Sequence, residues 1–236
     1  MLADSPDTRT KFGSLNRNVH VEATFLHELI EFIAGELPKW RSDSERPQGT
    51  GENLLTEFLC DHLNSAARLS DGWDIVQFRN EAIDEVHRDR KVDIAPKPCG
   101  ATICIDGRRQ TEYYPLLPIE CKRLPTPEGS KRDEREYVFN QYASTGGIQR
   151  FKAGYHGAKH TLGAMIGYIQ QETAAFWNKR VTQWIKDLVT DGEPGWSHND
   201  LLNFENDSGD VATLQSSHSR EGLPNIELRH LWVNMN

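Results

Sequence analysis

Ile119-Glu120-Cys121-Lys122, set against Val92-Asp93-Ile94, decides how this chain is read. Both are short apolar stretches interrupted by charge, and side chains along a strand alternate faces. Glu120 and Lys122 therefore share one face, with Ile119 and Cys121 on the other. On the earlier strand, Val92 and Ile94 share a face and Asp93 lies opposite. If the two strands are neighbours, Asp93 and Glu120 converge at one edge of a sheet with Lys122 beside them. Two carboxylates held that close repel, and one pKa rises. A Mg2+ or Mn2+ ion removes the conflict, because it takes carboxylate, carbonyl and water oxygens. The backbone carbonyl of Cys121 is a further candidate ligand. Such a metal lowers the pKa of a bound water and stabilises charge on a phosphate. Lys122 can orient or deprotonate that water and pair with the phosphate.

Working outward, the flanking segments set the fold class. From Val21 to Leu37, Phe25, Leu26, Leu29, Ile30, Phe32 and Ile33 recur at helical spacing, and Pro38 is expected to stop that helix. Residues 41–51 read as a loop. A second helix runs from about Glu52 to Ala66, with Leu54, Leu55, Phe58, Leu59 and Leu63 as its apolar stripe. Trp73 to Phe78 and Lys91 to Ala95 then read as strands. Ala101 to Asp106, Gly107 and Thr111 onward read as a hairpin leading into a third core strand, Ile119 to Arg123. Pro118 has no N–H to give and belongs where that strand starts. Residues 125–134 form a polar loop. Helical pattern resumes over Glu134 to Tyr142 and from Ile148 to about His156. Leu162 to Ile169 reads as a buried strand, and Glu172 to Val189 as an amphipathic helix. Asp191 to Asn225 is loop by composition, and Ile226 to Val233 is an added strand. Residues 1–20 read as a frayed terminus, which leaves 21–236 as a single domain. The order predicts an α/β fold, one central mixed sheet flanked by helices.

An acid-x-Lys triplet is weak on its own. With 35 acids and 10 lysines in 236 residues, chance supplies roughly one or two. Asp89-Arg90-Lys91 and Glu120-Cys121-Lys122 are both present, and only the second ends an apolar strand. The discriminating features are Asp93 on the earlier strand and an acid at a helix start, Glu52, with Glu57 competing for that role. In this respect the chain resembles the PD-(D/E)XK, or restriction-endonuclease-like, nuclease superfamily. The resemblance covers about residues 50–170. It implies a core of helix, three-stranded meander, helix and strand (αβββαβ), with an N-terminal helix and a C-terminal helix and strand (about 171–236) as additions. It matches Asp93 and Glu120 to the two acidic positions, Lys122 to the lysine and Glu52 to the helical acid. The chain departs from the pattern in having no proline before Asp93 and a long gap between Asp93 and Glu120.

The resemblance implies a DNA substrate, hydrolysis assisted by Mg2+ or Mn2+, and a restriction or phage-defence setting. Candidate nucleic-acid contacts are Arg123, Gln149, Arg150 and Lys152. They fall in a stretch, 120–160, where eight basic residues outnumber five acids. Gly146-Gly147 breaks the helical pattern, and a helix starting there is expected to aim its amides at an anion. Gln141 or Gln149 matches the glutamine that some superfamily members carry. Tyr155-His156 and Lys159-His160 are candidates for a phosphate path, weighed against ordinary surface histidines. Overall the chain carries a net charge of −8, which argues against a generic DNA coat. It points to a protein partner supplying recognition or ATPase function. The segment from about Thr173 onward lies outside the resemblance and is a candidate homodimer or partner interface, with Trp177, Trp184, Trp196 and Trp232 as candidate anchors, although core packing is expected for at least two of them. No stretch is apolar enough for a membrane span and no secretory signal is visible, so a cytoplasmic location is expected. Four scattered cysteines fit no zinc template. The competing readings are a non-catalytic nucleic-acid- or partner-binding module on a nuclease-like fold, and another metal-dependent phosphoesterase.

Overall fold

The computed structural model describes residues 24–105, 107–129 and 132–236. The expected frayed stretch, 1–20, lies outside them. Two helices come first, α1 (Phe25–Ser42) and α2 (Glu52–Leu69). The strands β1 (Val76–Ile83), β2 (Lys91–Pro98), β3 (Ile103–Ile105), β4 (Arg108–Gln110) and β5 (Ile119–Leu124) follow. After them come α3 (Gly147–Lys152), β6 (Leu162–Ile169), α4 (Ala174–Thr190), β7 (Asn203–Asp207), β8 (Val211–Arg220) and β9 (Leu223–Asn234). Seven strands form one mixed sheet in the order β1-β2-β5-β6-β9-β8-β7, while β3 and β4 pair apart from it. β5, β6 and β9 are mutually parallel and the outer pairings are antiparallel.

Helices cover both faces. On one, α1 and α2 pack Phe25, Leu29, Leu55 and Leu59 against Ile119, Cys121 and Ile166. On the other, α4 packs Trp177, Trp184 and Ile185 with Leu124, Met165, Leu228 and Trp232. β6 is buried along its whole length, which explains its unbroken apolar sequence. Gly167 on β6 makes room for a large neighbour: a methyl there would sit 2.5 Å from Trp232 Cδ1. Among the described residues no helix is long and apolar enough to cross a membrane.

Several expectations are corrected. α1 does not stop at Pro38; it runs to Ser42 with the proline inside. An interior proline costs roughly 3 kcal/mol. Here the last turn offsets that by burying Leu37 and Trp40, whose ring lies 5.9 Å from Tyr168. The first strand begins at Val76 and runs to Ile83; Asp71 to Ile75 is turn. The hairpin around Gly107 forms its own ribbon, and turns at 111–118 deliver the chain to β5. Glu134 to Tyr142 is a succession of turns, not a helix, and the helix after it ends at Lys152. The stretch expected as loop, Asp191 to Asn225, carries β7 and β8. β9 is no appendage, since it lies between β6 and β8. Trp177, Trp184 and Trp232 are buried and Trp196 is half-buried, so at least the first three serve the core.

Candidate active site

The site forms where β2 and β5 part. Their register pairs Ile94 with Ile119; one step further, antiparallel geometry sets Asp93 opposite Glu120. The Cys121 amide is not given to a backbone carbonyl of β2. It donates to Asp93 Oδ2 at 2.7 Å. Glu120 is fully buried. Its Oε1 faces Lys122 Nζ at 2.9 Å and also takes a hydrogen bond from Arg150 Nη1. The Lys122 ammonium has two further acceptors, Glu52 Oε1 at 3.1 Å and the Cys121 carbonyl at 3.0 Å. The ammonium thus makes two hydrogen bonds and one close ion pair. Glu52, the first residue of α2, also accepts from the Arg123 amide at 3.1 Å. Glu57 is exposed, so the helical acid at this site is Glu52.

His156 completes the cluster. It turns back toward β5 after Gly154, which sits at φ +69°. Its side chain is 2% exposed, and Nδ1 lies 3.1 Å from Glu120 Oε2. The pair is close but not aligned: both atoms are buried without a hydrogen bond.

The electrostatics follow from burial and company. Asp93's carboxyl is pushed up to about 7, by burial first and by Glu120 second, against the pull of Lys122 and the Cys121 amide. Burial works to raise Glu120 as well, but Lys122, His156 and Arg150 outweigh it and hold its carboxyl well below the usual range. Burial would strip Lys122 of its proton; Glu120, Asp93 and Glu52 outweigh that and keep the ammonium charged. With Asp93 protonated, two carboxylates face Lys122 and Arg150. With Asp93 ionised, there are three, and the cluster has room for another positive charge.

The sign of the Asp93 shift gives an expected result. Its proton is held in the folded chain up to about pH 7 but leaves the unfolded chain near 4. The stability this contributes is complete below about 4 and is lost as pH rises through about 7. Asp93→Asn should therefore be more stable than wild type at pH 8 in EDTA, by up to about 4 kcal/mol, and the two should converge near pH 4. A wild type that stays the more stable at pH 8 would contradict this assignment.

Not every candidate gathers here. Arg123 points to the other face, where its Nε donates to Gln170 at 2.7 Å. Gln149 accepts from the Asn140 and Gly146 amides, both at 3.2 Å, and so caps α3. Gln141 is exposed beside Asp133. The start of α3 offers no free amides either: those of Gly147, Ile148 and Gln149 donate to the carbonyls of Glu136, Tyr137 and Val138. Gly146-Gly147 is instead required by close packing. A methyl on Gly146 would lie 2.4 Å from the Phe139 Cα, and one on Gly147 would lie 2.4 Å from Met165 Cε.

Lys152 belongs to a separate buried network. It pairs with Asp200, and Asp200 Oδ1 accepts from His218 Nδ1 at 2.7 Å. His218 Nε2 meets Ser216 Oγ, and Ser216 Oγ meets His230 Nε2, each at 2.7 Å. His230 Nδ1 meets the Tyr137 hydroxyl, which also takes the Trp232 N–H, each at 2.8 Å. An indole can only donate. So Tyr137 donates to His230, His230 to Ser216, Ser216 to His218 and His218 to Asp200. Burial lowers the pKa of both histidines, keeping them neutral as this order requires. Ser216, His218 and Asp200 have the sequence of contacts of a nucleophilic triad. All three are at most 2% exposed and the hydroxyl is flanked by two imidazoles, so the network is structural.

No family model, curated protein or solved structure matches this chain. Among the described residues, no three His, Cys, Asp or Glu side chains group as a metal-holding set.

Proposed function

We propose that this protein is a metal-dependent nuclease of the PD-(D/E)XK, restriction-endonuclease-like type, hydrolysing phosphodiester bonds in DNA. The observation that carries the reading is the Asp93–Glu120–Lys122–Glu52 cluster with Arg150 beside it, in which three carboxylates face two cations once Asp93 ionises. The order α2, β1, β2, β5, α3, β6, with β5 parallel to β6, supports it.

The donor set suits a particular kind of ion. Asp93 and Glu120 supply two carboxylates, and Glu120 Oε2 is buried without a hydrogen bond. Two carboxylates are enough for Mg2+ or Mn2+, which retain water ligands, but not for a structural zinc site. Asp93, Glu120 and the Cys121 carbonyl would hold the ion. It would lower the pKa of a bound water and stabilise charge on the phosphate. Lys122 stays charged, so its work is to orient that water by hydrogen bonding and to neutralise developing phosphate charge, rather than to take a proton. Glu52 is a positioning residue: it holds Lys122 Nζ and the Arg123 amide together. Arg150 fixes the Glu120 carboxylate by a hydrogen bond, and His156 packs close against its other oxygen. The net charge of −8 favours a protein partner that brings the substrate, in keeping with a restriction or defence role.

One observation favours a non-catalytic module. Lys122 and Arg150 already occupy Glu120 Oε1, and Lys122 occupies the Cys121 carbonyl. Supercoiled plasmid, linear duplex, single-stranded DNA, RNA and a small aryl phosphate ester, each with Mg2+, Mn2+ or EDTA, separate the readings. The nuclease reading expects DNA cleavage with metal and none in EDTA. Binding without cleavage of any substrate would favour the module. Cleavage confined to small phosphate esters would point to another phosphoesterase.

A further inference from the structure

Beside Glu120 lies a cavity of about 340 Å3, lined by Asp89, Arg90, Lys91, Arg150 and His156. It joins the candidate site because Arg150 and His156 also touch Glu120. Three cations and a histidine face one carboxylate. The three cations are not equally committed. Lys91 pairs with Glu81 at 2.7 Å, and Arg150 gives one N–H to Glu120. Arg90 forms no ion pair among the described residues. Its guanidinium lies over the Tyr155 ring, 3.7 Å from the centroid, and His87 packs edge-on against the same ring at 5.8 Å. Stacking holds the plane while leaving the N–H edges to bond elsewhere. At the back, the His156 side chain is 98% buried by its 2% exposure, and its Nδ1 has no hydrogen bond. A flat, stacked, unpaired guanidinium beside a second arginine is a fit for tetrahedral oxyanions. The volume is at the small end of ligand-sized pockets, enough for a phosphate group but not for a duplex.

We propose that this cavity is a phosphate subsite of the same site, in which Arg90 and Arg150 grip a backbone or terminal phosphate of a nucleic-acid strand. The identity of the strand rests on the nuclease reading; the oxyanion chemistry does not. Lys91 adds charge at the rim, while Asp89 weakens the field. Arg90 is the determining residue, because among the described residues no carboxylate pairs with it and its stacking on Tyr155 leaves the N–H edges unused.

The test uses the full chain in EDTA, so that nothing is cut. Inorganic phosphate is followed by 31P NMR line width. Labelled oligonucleotides bearing a 5′-phosphate, a 3′-phosphate or hydroxyl ends are followed by anisotropy across a salt series. Arg90→Ala should lose the phosphate broadening, weaken oligonucleotide binding about tenfold, and lower the salt slope by about one. Arg90→Lys should keep the slope and recover part of the affinity. Arg88→Ala, an exposed arginine outside the cavity, should change binding less than twofold. Tighter binding of one phosphorylated end assigns the subsite to a terminal phosphate. Equal binding of all three ends assigns it to an internal phosphodiester. Equal losses for Arg88→Ala and Arg90→Ala, or no broadening by wild type, would overturn the subsite. Metal-dependent cleavage with unchanged Arg90→Ala binding would remove the subsite alone. Phosphate binding without cleavage would remove the nuclease reading alone.

Discussion

Lys122→Ala should lower metal-dependent DNA cleavage about a hundred- to a thousandfold, the loss expected when one preorganised donor to developing charge is removed. The ammonium cannot be replaced from nearby. Its three contacts come from two elements, Glu52 on α2 and Glu120 and the Cys121 carbonyl on β5, with Arg150 of α3 already on Glu120. The substitution leaves Glu120 with Arg150 and His156, so the buried carboxylate is not orphaned, and the fold should survive. Circular dichroism and the melting midpoint would confirm that. Lys122→Arg keeps the charge but moves it, and should recover only a small part of the rate. Cleavage by Lys122→Ala at the wild-type rate, on folded protein, would dismiss this cluster as the active site.

Asp200→Ala should be the most damaging single change to stability away from the site. The Asp200 side chain is 1% exposed and accepts from Lys152, His218, the Ser197 amide and the Ser197 hydroxyl. Removing it leaves a Lys152 ammonium only 8% exposed without its partner and strands the His218 N–H. Breaking a buried pair this way costs roughly 3–5 kcal/mol, or a midpoint lower by roughly 10 °C for a chain of this size. Asp200→Asn, which can still accept from His218, should lose less. Neither change touches Asp93, Glu120 or Lys122, so cleavage per folded molecule should hold. A midpoint within a degree or two of wild type would show that the network contributes little.

The acid–lysine cluster was legible because strand alternation is rigid: a period of two puts Glu120 with Lys122, and Asp93 opposite Ile94, whatever else the chain does. Glu52 and Glu57 could not be separated in one dimension, since both sit early in the same helix; only the approach of α2 to β5 separates them. The assignments on α3 failed for a geometric reason. Gln149 and Lys152 are three apart and share a side of the helix, while Arg150 is turned about 100° away. One of the three could face Glu120, not all. β8 was missed because only its first half is apolar inward, with Ala212 and Leu214, while its later inward positions are Ser216, His218 and Arg220. Buried polar residues with satisfied hydrogen bonds cut the apolar alternation short. In the sequence His156 reads only as a candidate for a phosphate path against an ordinary surface histidine, because its burial against Glu120 depends on the chain reversal at Gly154. α1 was cut short at Pro38 because the burial of Trp40 depends on partners far along the sequence.

The place of β9 sets an order of assembly. β6 is buried on both faces and paired on both edges, to β5 on one side and β9 on the other. β8 and β7 reach the sheet only through β9. During synthesis, Asp93 and Glu120 emerge more than a hundred residues before β9, the strand that completes the sheet on the far side of β6. Until β9 arrives, β6 presents an open apolar edge and Trp232 has not filled the space beside Gly167. The pairing is therefore of high contact order and comes late, so the nascent chain carries the carboxylates of the candidate site before it has a complete sheet to hold them.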